Sequence, residues 1–408
     1  MKRILFVDDE PRVLEGLQNL LRKERNRWEM VFAPGGAEGL ALLEEKGFDV
    51  VVSDMRMPGM DGATFLTEVQ RRYPRAARIV LSGQTDQASA GRVVAVAHQF
   101  LSKPCDSAAL RKVIERACAL QDLLHDEALQ AVVGELGQLP SLPGVYLQLG
   151  RILDSPEASV TQMAQIVEQD AALCAKILQL VNSAFFGLAQ KCLSVERAIS
   201  LLGTSLLRNL VLWNAAGQGI ERLPATLRED ILARQAHAIL AARLTARLAK
   251  GQPFAEAAFL AASLANLGWL VLATHQTSQA ESLRASAAES GRPLHQLERE
   301  LRGVTHAEVG AYLLGLWGFP SAVVESVAFH HEPGRIGHET FDSLAAVHVG
   351  YALAADAMDA RARTAEHPTA LIADGTLDEA YLERAGVLDQ LPEWRRLAEQ
   401  EAARMTGG

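Results

Sequence analysis

The chain has 408 residues, of which 49% are hydrophobic and 22% are charged, and its formal net charge is −9 at pH 7. This composition excludes a disordered or fibrous chain, and the length predicts two or three domains, each with an ample core. The four cysteines form neither a CxxC pair nor a metal-like spacing, which favours a reduced, cytoplasmic compartment.

The acidic excess lies entirely in the second part of the chain. Residues 1–125 contain 18 Lys+Arg and 17 Asp+Glu, whereas residues 126–408 contain 22 and 32. A DNA-binding output would present a basic face, and the second part has neither a Lys/Arg run nor a recognition-helix unit. We therefore expect no DNA partner.

Four apolar runs in the first 104 residues are typical of buried strands, and amphipathic helical stretches lie between them. The runs cover residues 4–7, 50–53, 79–81 and 99–101. Alternating strands and helices predict a doubly wound parallel sheet, whose sites lie beyond the carboxyl ends of the strands. We therefore expect the polar residues at those ends to converge on one pocket, namely Asp8, Asp9, Asp54, Ser82 and Lys103.

These residue types suit phosphoryl transfer. A carboxylate can attack a phosphoryl donor to give an aspartyl phosphate, and Asp54 at the central strand is the natural nucleophile. Mg²⁺ prefers one or two carboxylates with waters and phosphate oxygens, so the adjacent Asp8 and Asp9 suit that ion. Ser82 can donate a hydrogen bond to one phosphoryl oxygen, and Lys103 can pair with another.

A further motif follows Asp54, and it reads Met57-Pro58-Gly59-Met60-Asp61-Gly62. Together with the strand-end residues, it makes residues 1 to about 122 resemble the receiver domain of two-component response regulators. The resemblance implies a flavodoxin-like fold with a five-stranded parallel sheet. It also implies that a sensor histidine kinase or a phosphotransfer protein phosphorylates Asp54.

The same resemblance implies how the receiver holds Mg²⁺. Asp9 is a direct ligand, and Asp8 acts mainly through water. Asp54 and the backbone carbonyl of Arg56 complete the protein ligands. Mg²⁺ is thus the expected cofactor.

The resemblance also implies a switch. Ser82 and Phe100 occupy the places of the switch hydroxyl and the switch aromatic, and Lys103 occupies that of the phosphate-pairing lysine. Phosphorylation of Asp54 would draw Ser82 inward and bias Phe100 towards a buried rotamer.

The sequence pattern also places the domain boundaries. The last receiver helix begins near Asp106, and its periodicity continues towards Val132, which predicts a helical linker over residues 123–138. Pro140 and Pro143 end that helix, and only helical periodicity follows, with a break at Gly203 among others. We expect a receiver at 1–122, an all-α output domain at 139–333, and helices at 334–408 that complete or flank it.

Several sequence motifs in the second part of the chain resemble the HDOD domain, an output module related to the HD metal-dependent phosphohydrolases. They are Leu139-Pro140-Ser141-Leu142-Pro143, Ile166-Val167-Glu168-Gln169-Asp170, Leu180-Val181-Asn182-Ser183-Ala184-Phe185-Phe186-Gly187 and Ala198-Ile199-Ser200-Leu201-Leu202-Gly203. The resemblance covers about residues 134 to 333. It implies an HD-like helical fold.

The HD metal centre looks dismantled at the positions that this resemblance identifies. HD phosphohydrolases bind metal through an adjacent His-Asp pair, which here falls on Ala265 and Asn266. Alanine has no donor atom, and a neutral amide is a far weaker ligand than a carboxylate. We therefore expect no catalysis beyond self-phosphorylation and autodephosphorylation of the receiver.

Three other histidines, His306, His330 and His331, resemble the extra histidines of HD-GYP phosphodiesterases, which cleave cyclic di-GMP. Residues 334–337 depart from that family's Gly-Tyr-Pro signature. Three histidines can bind a single metal ion, but we expect a packing or helix-end role.

The run at residues 257–273 is apolar apart from Ser263 and Asn266, and it falls just short of a membrane-spanning length. Its many alanines and the nearby Glu256 and His275 favour a buried helix in an all-helical core. We expect no membrane insertion.

Two classes of function remain open. The preferred one is a signalling protein in which Asp54 phosphorylation alters how a non-catalytic helical domain engages an unnamed downstream protein or a second copy of the chain as a homodimer. The alternative is a phospho-regulated, metal-dependent phosphohydrolase or cyclic-dinucleotide phosphodiesterase.

Overall fold

The computed structural model describes residues 1–82, 96–103, 106–123, 130, 133, 143–153, 159–182, 188, 190–215, 220–362 and 375–404. The chain divides into two compact units. The first unit comprises Met1–Gln138, Gln179–Cys192 and Leu313–Phe319. The second comprises Leu139–Leu178, Leu193–Tyr312 and Pro320–Gly408.

A five-stranded parallel sheet forms the centre of the first unit. Its strands are β1 Lys2–Val7, β2 Trp28–Ala33, β3 Val50–Asp54, β4 Ala77–Ser82 and β5 Gln99–Ser102. The order across the sheet is β2-β1-β3-β4-β5, so the topology reverses between β1 and β3. Doubly wound sheets bind ligands outside the carboxyl ends of the strands at such a point. The predicted fold of this part is confirmed.

Apolar residues explain why β1 and β3 lie inside the sheet. Ile4, Leu5 and Phe6 of β1 have no exposed surface, and neither do Val50 and Val51 of β3. Strands that are covered on both faces read as continuous apolar runs, as these two do.

Four helices accompany the sheet among the described residues, and they are α1 Pro11–Leu20, α2 Gly36–Glu45, α3 Gly62–Arg72 and α4 Ser107–Leu123. The Asp61 carboxylate caps α3 by accepting the Thr64 N–H at 2.8 Å. Asp106 does the same for α4 and accepts the Ala109 N–H at 3.1 Å. Such caps satisfy backbone donors that the helix cannot pair internally.

From residue 143 onward, the described part of the chain contains helices and no strand, so the predicted all-helical domain is confirmed. The helices are α5 Pro143–Leu153, α6 Val160–Val167, α7 Ala171–Val181, α8 Val195–Ala215, α9 Ala225–Leu248, α10 Ala255–Leu264, α11 Leu267–His275, α12 Thr277–Ser290, α13 Leu294–Arg302, α14 His306–Leu316, α15 Ser321–Phe329, α16 Ser343–Ala362, α17 Glu379–Arg384 and α18 Leu391–Arg404.

One apolar core of the second unit joins its central and C-terminal helices. Leu240 and Leu244 of α9 share this core with Val349 of α16. Tyr381 of α17 and Trp394 of α18 belong to the same cluster. The C-terminal helices therefore bury their apolar faces against the helices that precede them.

The apolar run at residues 257–273 is helical and mostly buried, as predicted, and it is divided into the consecutive helices α10 and α11. The break falls at Ala265 and Asn266, where the Asn266 side chain bonds to other helices. The stretch Ala255–His275 is long and apolar enough to span a membrane, but 72% of its apolar 18-residue window is buried inside the protein. This apolar stretch is therefore part of the helical core.

Helix α8 bends at Gly203, where the sequence predicts a break. Gly203 has φ 73° and ψ 160°, outside the helical region. A residue with a side chain would be strained at this positive φ, so glycine is required for the bend.

Candidate functional site

The sheet brings the predicted acids to one edge. Asp8 directly follows β1, and Asp54 is the last residue of β3. Both are buried, whereas the neighbouring Asp9 is partly exposed. Lys103 directly follows β5. These four residues therefore surround the switch point between β1 and β3.

Lys103 connects the two buried aspartates. Its Nζ donates to Asp8 Oδ2 at 2.7 Å and forms an ion pair with Asp54 Oδ1. The second oxygen of each aspartate accepts a backbone N–H, from Glu10 at 2.9 Å and from Arg56 at 2.8 Å. Both carboxylates are therefore held in defined orientations.

The electrostatics of this cluster favour a reactive carboxylate. Burial raises the pKa of Asp54, and the hydrogen bond from Lys103 opposes that rise only in part. Burial would lower the pKa of Lys103, but its hydrogen bonds to Asp54 and Asp8 outweigh burial and raise it. Lys103 thus stays charged beside an unusually basic Asp54 oxygen.

The donor set fits Mg²⁺. Asp8, Asp9 and Asp54 carry three negative charges when ionised, and Lys103 offsets one, so a divalent cation would balance the remainder. The ligands are oxygens, as this hard cation requires. An open pocket of about 410 Å³, lined by Asp9, Arg56 and the segment after it, adjoins the cluster and gives room for waters and a phosphoryl group.

The predicted switch residues lie on β4 and β5. The Phe100 ring is buried, and Phe100 pairs with Val80 in the strand register. Ser82 ends β4, in register with Ser102, and its side chain lies outside the described residues.

In the second unit, the residues at the positions of the HD pair, Ala265 and Asn266, make structural contacts. Ala265 is fully buried in the apolar cluster that contains Leu240 and Tyr351. The Asn266 side chain accepts the Tyr351 O–H at 2.8 Å and donates to the Arg234 carbonyl at 3.1 Å. Both ends of the amide therefore have structural partners.

Two further histidines near this position are also held by the backbone. His237 bonds through Nε2 to the Tyr351 carbonyl at 2.8 Å. His348 bonds through Nδ1 to the His330 carbonyl at 2.7 Å, and its Nε2 accepts the Asp378 N–H at 2.9 Å. Burial lowers the pKa of His348, so the neutral ring matches these two contacts.

The three remaining histidines converge. His306, His330 and His331 are buried, and one ring nitrogen of each lies within 4.8 Å of those of the others. Two neighbours of this cluster, Glu298 and His295, are not among the residues predicted from the sequence. The His295 ring stacks on that of His331 with centroids 4.4 Å apart. A lone histidine and a lone glutamate on an amphipathic helix carry no signal that could have identified them.

Two family models match the chain. The model of the response regulator receiver domain matches residues 4–115, and the model of the HDOD domain matches residues 139–333.

Two curated relatives are each similar to less than half of the chain. An uncharacterized protein of Treponema pallidum (strain Nichols) is 29% identical over 202 residues, which cover 49% of this chain and 39% of that protein. The transcriptional regulatory protein GlrR of Escherichia coli K12 is 38% identical over 118 residues, covering 28% and 26%. The chain therefore spans well under two thirds of these relatives.

Among solved structures, the chain is similar to the MmoQ response regulator of Methylococcus capsulatus (strain Bath). The identity is 23%, the match covers 63% of this chain and 98% of that one, and the TM-score is 0.45.

Proposed function

Because this chain is a response regulator with a receiver domain followed by an HDOD domain, we propose that Mg²⁺-dependent phosphorylation of Asp54 controls a non-catalytic output domain that signals through protein contacts. A receiver domain implies a histidine kinase as the phosphoryl source. The downstream protein partner, homodimer formation and the cytoplasmic location are parts of the same proposal.

The cluster of Asp8, Asp54 and Lys103 is the main support for the proposal that the receiver domain is phosphorylated at Asp54. Two buried carboxylates at adjacent strand ends share one ammonium group. A phosphoryl group on Asp54 would bring new negative charge to Lys103, which can pair with it as a point charge. Asp9 and the adjoining pocket support the metal that this charge requires.

The proposal of a non-catalytic output rests on Asn266 and Ala265. An Asp at position 266, directly before α11, would be needed to hold the HD metal, whereas Asn266 is bonded to Tyr351 and Arg234. Ala265 offers no ligand atom. Together these residues support an HDOD domain that acts as a binding module.

Cyclic di-GMP hydrolysis by the tag-free full chain tests the output proposal. We expect no turnover with Mg²⁺, Mn²⁺ or Fe²⁺, because the His-Asp pair is replaced. Turnover that disappears in a His330→Ala/His331→Ala double variant would contradict a non-catalytic output and favour the phosphohydrolase alternative.

Phosphorylation-dependent partner capture tests the signalling proposal. The chain activated with beryllofluoride and Mg²⁺ should retain at least one protein that the Asp54→Asn chain, treated in the same way, does not. Identical protein sets on the two chains, with unchanged solution mass, would contradict it.

A further inference from the structure

Three buried imidazoles of the second unit meet at the junction of three helices. His306 is the first residue of α14, His330 follows the last residue of α15, and His331 is the next residue along the chain. Their exposed fractions are 0%, 1% and 8%. Burying three such polar rings side by side is costly unless their nitrogens are bonded, so the contacts of those nitrogens decide what the cluster can do.

The outer contacts orient two of the rings. His306 Nδ1 lies 2.7 Å from Glu298 Oε2, and His330 Nδ1 lies 2.8 Å from the Val327 carbonyl. Both partners are acceptors, so Nδ1 carries the proton in each neutral ring and Nε2 carries the lone pair. A lone pair on Nε2 is what a metal ion requires of a histidine.

The spacing of the nitrogens fits one ion. His306 Nε2 and His331 Nε2 are 3.2 Å apart. Two nitrogens at roughly 2.0–2.1 Å from a tetrahedral Zn²⁺ lie about 3.3 Å from each other. A hydrogen bond donated by His331 occupies the same separation, so an ion would take the place of that proton without moving the rings far.

Glu298 supplies the carboxylate that commonly supports a metal-binding histidine. It is fully buried on α13, and its Oε2 accepts both the backbone N–H of His306 at 2.8 Å and the ring N–H. Its Oε1 has no hydrogen-bond partner among the described residues. A divalent ion on the far side of the His306 ring would complete a carboxylate–histidine–metal arrangement, in which the carboxylate orients the ring.

The cluster also has a route to solvent. A pocket of about 350 Å³ is lined by His331 and by its stacking partner His295, together with Glu332 and Asp378. Three imidazoles leave one position of a tetrahedral ion for water.

We propose that His306, His330 and His331 bind one divalent first-row transition-metal ion through their Nε2 atoms, with Glu298 positioning His306. Imidazole ligands suit Zn²⁺, Fe²⁺, Ni²⁺ or Cu²⁺ rather than Mg²⁺. The ion joins α13, α14 and α15. This site is distinct from the receiver carboxylates and does not depend on Asp54 phosphorylation.

Zn²⁺ titration of the tag-free full chain tests the proposal, with Mg²⁺ in excess to occupy the receiver acids. Calorimetry should give one Zn²⁺ per chain, and bound Zn²⁺ should raise the melting temperature because it binds the folded state. His331→Gln should weaken binding by more than about 100-fold, since removal of an outer partner alone costs roughly 10–100-fold. Glu298→Gln should weaken Zn²⁺ binding by roughly 10–100-fold, because Glu298 is such an outer partner.

His275→Gln is the matched control, because His275 is an exposed histidine at the end of α11, and it should bind Zn²⁺ as the parent does. Asp54→Asn should also leave binding unchanged. Absence of stoichiometric binding by the parent chain, or equal affinity in the parent and both the His331→Gln and Glu298→Gln chains, would overturn the proposal. Glu298→Gln keeps the test decisive if His331→Gln does not fold. Loss of binding in Asp54→Asn alone would place the ion in the receiver and would also overturn it.

Discussion

Lys103 reduces the electrostatic repulsion between the two buried carboxylates of the receiver site. Asp8 and Asp54 are both buried, and two carboxylates without a cation between them would repel each other in a medium of low dielectric constant. The ammonium group of Lys103 contacts both. Phosphorylation would therefore add negative charge to a cluster in which one ammonium group already pairs with two carboxylates.

Replacing Asp54 with Asn should stabilise the chain at neutral pH in the absence of metal. Burial raises the pKa of Asp54 above its ordinary value of 3.8, so the native state binds this proton more tightly than the unfolded state does. Stability is therefore lost as the pH rises from the unfolded pKa through the folded one. Thermal unfolding in EDTA should show a gain in melting temperature near neutral pH that shrinks as the pH falls towards 3.8.

The exposed Asp389 gives the control, and Asp389→Asn should change stability little. A lower melting temperature of the Asp54→Asn chain at neutral pH would show that the pairing with Lys103 outweighs burial.

Tyr351 and Tyr381 form a matched pair in the core of the second unit. The Tyr351 hydroxyl bonds to Asn266, whereas the buried Tyr381 hydroxyl has no hydrogen-bond partner among the described residues. Tyr351→Phe should cost about 1–3 kcal/mol because it leaves a buried acceptor unsatisfied, and Tyr381→Phe should be neutral or stabilising. Urea denaturation measures both, and equal effects would contradict the role given to the Asn266 contact.

At the scale of elements, the contact between α11 and α14 sets the position of His306. A Cβ on Gly268 would overlap the carbonyl oxygen of His306 and lie 2.5 Å from the backbone nitrogen of Gly310. Backbone atoms at such distances cannot move away independently. The two helices therefore approach each other more closely than any residue other than glycine allows.

Gly268→Ala should destabilise the chain by about 1–3 kcal/mol, as overpacking of a core typically does. Gly150 of α5 is the control, since a Cβ there meets no atom of the described residues within 4 Å. Gly150→Ala should stabilise by roughly 0.4–1 kcal/mol, because alanine loses less backbone entropy on folding. Denaturant unfolding compares the two chains, and a neutral Gly268→Ala would contradict the close approach.

Much of the receiver could be predicted from sequence because its inner strands are apolar throughout. β2 has a weaker sequence signal, since only Trp28 and Ala33 at its ends are buried and this edge strand has no continuous apolar run. The fold class then places the strand-end acids together by topology alone. The meeting of His306 with His331 depends instead on how α13, α14 and α15 pack, which no local pattern records.

At the scale of the whole molecule, we expect phosphorylation of Asp54 to affect the rest of the chain through α4. It spans Ser107–Leu123, and the sequence periodicity continues beyond it towards the second domain. A phosphoryl group on Asp54 draws Lys103 away from Asp8, and Lys103 lies four residues before α4. We expect a shift of this local charge to alter α4 and the residues that follow it.

Amide hydrogen exchange over residues 106–145 measures this coupling, with and without beryllofluoride. We expect changed protection there in the parent chain or a changed solution mass, and neither change in the Asp54→Asn chain treated in the same way. Unchanged protection together with unchanged mass in the parent would refute the coupling.

Intact-mass analysis after incubation with a small-molecule phosphoryl donor and Mg²⁺ measures whether Asp54 is phosphorylated. We expect one phosphoryl group per chain, none in Asp54→Asn, and a severe reduction in Asp9→Ala through loss of a metal ligand. Asp61→Asn is the control, because Asp61 borders the same pocket but serves as the cap of α3, and it should be labelled like the parent. Full labelling of the Asp54→Asn chain would show that Asp54 is not the phosphorylated residue.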